Sequence, residues 1–192
     1  MLGFLVSLAL KASLDSLFKD SIPGATTLQQ LLAAMVTQDL PQLTVFLLTL
    51  LRFFYGAYRF HESIPARADD RGAFWNIVGM FGLFVLFYLT GLAVKSTVPF
   101  YALLGLVHVW DFVWFTVSKL LRPMTGLLNE AVCKFIVIDL VTILCLVSLL
   151  VADLKGKLPN EWFTGLSALT MVILALIDIG INWKFFFPQD KS

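Results

Sequence analysis

Four ionisable residues lie inside stretches of sequence that are otherwise apolar, and their types could do chemistry. They are one cation and three acids: Arg52, Asp111, Asp139 and Asp178. A charge in hydrocarbon is costly unless it finds a partner or water, so such residues are candidates for a functional site. Arginine stays ionised, and it can pair with one carboxylate through one hydrogen bond or through two parallel ones. The other acids must hold a proton, meet water, bind a cation, or pair with Lys119, Arg59 or another subunit.

His108 extends this set of residues. It lies three residues before Asp111, which places both side chains on one face of a helix. Histidine titrates near neutral pH, so a histidine beside an acid could relay a proton; the alternative is a hydrogen-bonded structural histidine. Tyr55 and Arg59 follow Arg52 on nearly the same helix face. The candidate ion path or buried polar network is therefore Arg52, Tyr55, Arg59, His108, Asp111, Asp139 and Asp178.

Motifs of known enzymes and metal sites are missing from the sequence. It contains no HExxH, no GxSxG and no glycine-rich phosphate loop, and it carries no family signature. Cys133 and Cys145 lie twelve residues apart in one predicted helix, a rise of roughly 18 Å that excludes a disulfide. We therefore expect no metal and no cofactor. The missing motifs also argue against an enzyme but do not exclude one.

The composition determines the class of protein that must position these residues. Hydrophobic residues make up 59% of the 192 positions and charged residues only 14%, against about 45–50% and about 25% in soluble domains. A soluble chain could not cover so much apolar surface, so we predict an integral protein of the cell or inner membrane. The net charge of +1 argues against nucleic acid as a partner.

Long apolar stretches carry the charged residues. The predicted membrane spans are 41–60, 73–94, 99–121, 131–152 and 162–187, each long enough for a hydrocarbon core of about 30 Å. We predict a single all-α domain over 1–192, a compact bundle of about five transmembrane helices. The count falls to four if 41–60, which Arg52 and Arg59 interrupt, is only partly inserted. Alternating helix directions place the four charges at a similar depth, about 12–15 Å from one membrane face.

The pattern of polar and apolar residues over 1–40 predicts two amphipathic helices before the bundle. In the first, Gly3, Ser7, Lys11 and Asp15 form one narrow polar stripe. Such a helix either lies at the membrane interface or packs on the bundle. The second follows the turn at Pro23 and Gly24, and it ends near Asp39.

Smaller features predict how the spans pack and end. Gly79, Gly82 and Gly91 lie in span 73–94, and small residues let membrane helices approach closely. Trp110 and Trp114 share one face of span 99–121. Asn129 is the expected cap of span 131–152. The sequence Phe185-Phe186-Phe187 is interpreted as an anchor at the membrane interface, beside Trp183 and Lys184.

The distribution of basic residues predicts the orientation. One side of the bundle collects eight lysines and arginines and the other collects five. Since cytoplasmic loops carry the excess of basic residues, the side with eight is expected to be cytoplasmic. The C-terminus lies on that side.

Three functions are consistent with these features. The first is a proton- or cation-conducting channel or carrier subunit that uses the Arg-Asp-His network. Since five helices rarely enclose a pore alone, this function predicts an oligomer. The second is a non-catalytic accessory, assembly or effector protein that acts through a membrane-protein partner or the bilayer. The third is a membrane-embedded enzyme on a lipid-soluble substrate, with an Asp as general acid or base. A purely structural charge network is the alternative to all site-based functions.

Overall fold

The computed structural model describes residues 40–63, 70–121 and 124–187, together with residues 7, 8, 10–12 and 15. Of these described residues 91% are helical and none lies in a strand. The prediction of an all-α fold is therefore confirmed.

Six helices follow one another from residue 40 onward in the described chain. They are α1 (Leu40–Ser63), α2 (Asp70–Leu92), α3 (Thr97–Leu121), α4 (Gly126–Leu154), α5 (Asn160–Ile181) and the short α6 (Trp183–Phe186). Helices α1 to α5 are each long and apolar enough to cross a membrane. Helix α1, which Arg52 and Arg59 interrupt, meets this criterion over Leu40–Phe60.

Two of the predicted helix boundaries are wrong. Helix α4 begins at Gly126, and its N-cap is Thr125, in an extended conformation, instead of Asn129. The last predicted span, 162–187, is interrupted at Asn182, where α5 ends and α6 begins. The interruption is stabilised locally, because the Asn182 side chain donates a hydrogen bond of 2.7 Å to Asp178 one turn earlier.

The N-terminal region is described at only a few positions. Residues 7, 8, 10–12 and 15 are helical. Lys11 donates to Asp15 over 2.5 Å on this helix, and the hydrogen bond raises the pKa of Lys11. The second predicted amphipathic helix, up to Asp39, lies outside the described residues.

Contacts at the helix ends show that α1 runs in the same direction as α3 and α5. At one end of the bundle, the Gln42 side chain donates to the Thr97 hydroxyl over 3.1 Å. We name this the Lys95 end, after the turn between α2 and α3. At the opposite end, Arg59 donates to the carbonyl of Phe185 over 3.2 Å. We name this the Arg59 end.

Aromatic packing at the Arg59 end corrects the interpretation of the three C-terminal phenylalanines. Phe185 and Phe186 are buried, and both rings pack edge-on against Phe135 of α4, with centroids 5.6 and 5.8 Å away. Only Phe187 is exposed. Because the helix axis breaks at Asn182, α6 packs against α1 and α4 instead of extending α5 outward.

The outer surface of α4 and α5 is apolar. Its exposed large aliphatic side chains include Val137, Leu140, Leu144, Val147, Leu169, Ile173 and Leu176. Monomeric soluble proteins rarely expose contiguous apolar surface of this kind. This surface supports the inference from composition that the bundle lies in a membrane.

Candidate functional site: a buried charge layer

The guanidinium of Arg52 is the centre of the candidate site. From α1 its Nε donates to Asp178 Oδ2 on α5, and its Nη2 lies 3.5 Å from Asp139 Oδ1 on α4. Both carboxylates and the arginine are buried. The Cζ atom of Arg52 also lies 4.5 Å from the centroid of the Phe53 ring, within the range of a cation–π contact. One cation thus joins three helices.

Asp139 is the carboxyl group on which the other site residues converge. His108 Nδ1, on α3, lies 2.8 Å from Asp139 Oδ1, as expected for an Nδ1–H that donates to a carboxylate. The carboxyl of Asp111, also on α3, lies beside that of Asp139. The second oxygen of Asp139, Oδ2, receives no hydrogen bond from the described part of the chain.

Asp178 has a second partner in addition to Arg52. Asn182 Nδ2 donates to Asp178 Oδ1 over 2.7 Å, and both residues are buried. The four-residue spacing puts the two side chains on one face at the end of α5. The amide therefore holds the carboxylate toward Arg52. We call Arg52, His108, Asp111, Asp139, Asp178 and Asn182 the charge layer.

Two small cavities border the charge layer on opposite sides of Arg52. Each leaves about 10 Å³ for the centres of water molecules, close to the minimum for one water. The first is lined by Arg52, His108, Thr49 and Thr142. Arg52 Nη1 and His108 Nε2 form no hydrogen bond with the described residues, so the wall of this cavity carries two polar groups in need of partners.

The second cavity lies nearer the Arg59 end. Its walls include Arg52, Asp111, Gly56 and Trp114. The indole nitrogen of Trp114 is buried and has no acceptor among the residues that the structure describes. The two cavities therefore place polar atoms of the layer against space on both of its faces.

The structure brings together five of the seven residues that the sequence suggested as a site. Tyr55 and Arg59 lie apart from them, near the Arg59 end. The Tyr55 hydroxyl donates to the carbonyl of Phe186 over 2.9 Å, and Arg59 pairs with Glu62 as well as with Phe185. Neither of these partners of Arg59 is one of the surplus acids.

Lys119 also lies apart from the charge layer, although the sequence left it as a possible partner of the acids. Its ammonium lies 2.8 Å from the sulfur of Cys133. Within the described part of the chain, the carboxyls of the layer therefore have one another, Arg52, His108 and Asn182 as neighbours.

Three uncharged residues at the site were not singled out from the sequence. Asn182 binds Asp178, and Thr49 and Thr142 line the cavity beside His108. The available signal was spacing, since Asn182 follows Asp178 by four residues and each threonine lies three residues from a charged member of the layer. Their neutral side chains cost little in an apolar helix, so they did not stand out.

The chemistry open to this arrangement is the binding and exchange of protons. No group of three or more His, Cys, Asp or Glu side chains in the described ranges has the geometry to hold a metal ion. The layer does combine an imidazole and adjacent carboxyls, which exchange protons readily.

Over the residues that the structure describes, the fold and the charge layer together define a class, an all-helical bundle with five helices of membrane-spanning length around a buried ionic cluster. Comparison with family models, curated protein sequences and solved structures finds no match for this chain.

Proposed function

We propose that the chain is a proton-conducting channel or carrier subunit whose charge layer binds the transported proton. The observation that carries this proposal is the position of Asp111. Arg52 reaches Asp139 and Asp178, whereas Asp111 lies against Asp139. The layer therefore holds one more carboxyl than its guanidinium contacts directly.

A proton explains how two carboxyl groups can lie side by side in this setting. Two ionised carboxylates repel each other strongly where the dielectric is low. A proton on Asp111 turns that group into a donor, and Asp139 Oδ2 is an acceptor without another described donor. Loss of the proton would leave adjacent like charges in the bundle. The proton occupancy thus controls the electrostatic balance of the whole layer.

The surroundings of the layer offer steps for proton exchange. His108 contacts Asp139 through Nδ1 and also lines the one-water cavity beside Thr49, and its Nε2 has no hydrogen-bond partner among the described residues. Asp111 borders the cavity on the other side of Arg52. An imidazole between a carboxyl and a water position can accept a proton on one nitrogen and release it from the other.

Insertion, orientation and assembly complete the proposal. Helices α1 to α5 span the bilayer, and the Arg59 end with the C-terminus faces the cytoplasm, because that side carries eight of the thirteen basic residues counted for the two sides. The subunit works as an oligomer, since five helices of this size rarely enclose an aqueous pore alone.

Proton flux into liposomes tests the proposed function. Purified protein is reconstituted, a pH gradient or membrane potential is imposed, and an internal pH-sensitive dye is followed. Asp111→Asn is expected to reduce the flux to the level of protein-free liposomes, because an amide cannot release a proton. The matched control is Asp153→Asn, the same chemical change at the Lys95 end of α4, which should conduct like wild type.

The same preparation separates protons from other cations. Replacing sodium with potassium or a large organic cation should leave the flux unchanged if protons are carried. Equal flux through wild type and Asp111→Asn, in protein that is folded by circular dichroism, would refute the proposed role of the layer.

A second candidate is a non-catalytic accessory or assembly protein, and one observation favours it. Arg52 joins α1 to both α4 and α5, which is the geometry of an ion-pair network that fixes helix register. If the chain is an accessory or assembly protein, the well-folded wild type should conduct no protons in liposomes. It should instead retain a membrane-protein partner after crosslinking in native membranes, and deletion of residues 1–24 should remove that partner.

A further inference from the structure

A cleft of about 260 Å³ opens between α4 and the break that separates α5 from α6, at the Arg59 end. Its walls include Leu127, Glu130, Lys134, Ile181, Trp183 and Lys184. This volume falls just below the range of about 300–1,000 Å³ that is usual for pockets holding drug-sized ligands. The cleft is therefore large enough for a compact polar group.

The cleft has an excess of positive charge and of free hydrogen-bond donors. Lys134 donates to Glu130 over 2.6 Å and to the carbonyl of Ile181 over 3.1 Å. An ammonium has three donors, so one remains available. Lys184 hydrogen-bonds to no other residue that the structure describes. Two cations thus face one carboxylate, and the net charge favours an anion.

The apolar residues of the cleft indicate which kind of anion fits. Leu127 and Ile181 are 46% and 43% exposed, and they continue onto the apolar outer surface of α4 and α5. Trp183 is 55% exposed, and tryptophan is enriched where membrane helices meet the head-group region. A free inorganic anion would gain no binding energy from contact with these apolar side chains. An anion attached to acyl chains would contact both parts of the cleft.

We propose that this cleft binds the phosphate group of an anionic phospholipid. Lys184 and the third donor of Lys134 hydrogen-bond to the phosphate, and the acyl chains lie along Leu127 and Ile181. Basic pockets between transmembrane helices on the cytoplasmic side commonly hold lipid head groups of this chemistry. The site is separate from the charge layer and does not depend on proton transport.

Lipid binding by the purified full-length protein tests the proposal. The protein in neutral detergent is titrated with phosphatidylglycerol, with phosphatidylcholine or with inorganic phosphate, and bound molecules are counted by native mass spectrometry. Phosphatidylglycerol should bind preferentially, and Lys184→Gln should weaken it about fivefold, the effect of one basic residue near a lipid head group. Lys184 is exposed and forms no described hydrogen bond, so the variant should fold normally.

The control is a pair of lysines at the opposite end of the bundle. Lys155 and Lys157 are exposed in the turn between α4 and α5, and Lys155→Gln with Lys157→Gln should leave phosphatidylglycerol binding unchanged. An equal loss in this double variant, or equal binding of phosphatidylcholine and phosphatidylglycerol, would overturn the proposal. Saturable binding of inorganic phosphate without preferential lipid binding would assign the cleft to a free anion and also refute the lipid site.

Discussion

Two interfaces of the bundle hold apolar helices together by different means. Helices α2 and α3 pack through glycines and tryptophans, whereas α1 is joined to α4 and α5 by buried charges. Lipid tails are as apolar as leucine, so hydrophobicity alone gives membrane helices little reason to associate. Each interface therefore needs a specific source of attraction.

The interface between α2 and α3 relies on shape. The indole of Trp114 covers Gly79 and that of Trp110 covers Gly82, so closely that an added Cβ would overlap either ring. Trp110 also donates to the carbonyl of Gly79 over 2.8 Å, and Trp75 donates to the carbonyl of Trp114 over 3.2 Å. Close packing and indole hydrogen bonds replace charge at this interface.

The interface of α1 with α4 and α5 relies on charge balance. Among the residues that the structure describes, the Nε and Nη2 atoms of Arg52 have only the two aspartates as partners, and those aspartates are fully buried. A charge lost at this interface leaves its buried partner uncompensated, which is strongly destabilising. The two interfaces should consequently fail in response to different substitutions.

The largest effect is expected from Arg52→Leu. The substitution replaces the guanidinium with a shorter apolar side chain and leaves Asp139 and Asp178 without their cation. Breaking one partner from a buried ion pair costs about 3–5 kcal/mol, so the free energy of unfolding should fall by about that amount. Unfolding of the purified protein in detergent, followed by circular dichroism during an SDS titration, measures the change.

Restoring neutrality tests the cause of this loss. Adding Asp139→Asn and Asp178→Asn to Arg52→Leu removes the uncompensated charges and should recover most of the stability. If the triple variant is no more stable than Arg52→Leu alone, the loss came from packing. Charge balance would then be the wrong explanation for the interface of α1 with α4 and α5.

The next largest effects are expected from Gly79→Ala and Gly82→Ala. Each added methyl group meets an indole ring, and overpacking of this kind costs about 1–3 kcal/mol. Both variants should unfold earlier in the same SDS titration. Fluorescence of the tryptophans should shift as well, because Trp110 or Trp114 must move.

Two glycines of α5 serve as matched controls. A Cβ added at Gly165 or Gly180 meets no atom within 4 Å of those described. Alanine there should be neutral or should stabilise the helix by about 0.5–1 kcal/mol, since glycine in a helix interior is unfavourable. Destabilisation of equal size at all four positions would show that shape at the indoles is not the cause.

Much of this comparison could be predicted from the sequence. The apolar runs identified the helices that carry the charges, and the glycines and tryptophans on facing stretches indicated close approach. These are properties of local composition and helical spacing, which do not depend on the neighbours. The excess of three aspartates over one arginine in the apolar stretches was likewise apparent from the sequence.

The details of partner choice could not be predicted. The sequence did not show that Arg52 forms its ion pairs with Asp139 and Asp178 while Asp111 lies beside Asp139, because that depends on the rotation of the helices against one another. It also did not show the helix break at Asn182, since a polar residue near a helix end fits a continuous helix equally well. The burial of Phe185 and Phe186 follows from that break and was therefore missed with it.

The smallest effect is expected from a change to the ion pair between Glu62 and Arg59 on α1. Arg59 lies two turns beyond Arg52, so this change tests whether charge matters elsewhere on the same helix. Glu62→Gln removes the ion pair with Arg59, but Glu62 is half exposed and Arg59 keeps its hydrogen bond to the carbonyl of Phe185. Exposed ion pairs contribute about 0.2–1 kcal/mol and are screened by salt. The SDS titration should show a loss of that size at low salt and none at high salt. A salt-independent loss comparable with that of Arg52→Leu would mean that Arg59 is as poorly solvated as Arg52, and that charge holds α1 along its length instead of at one layer.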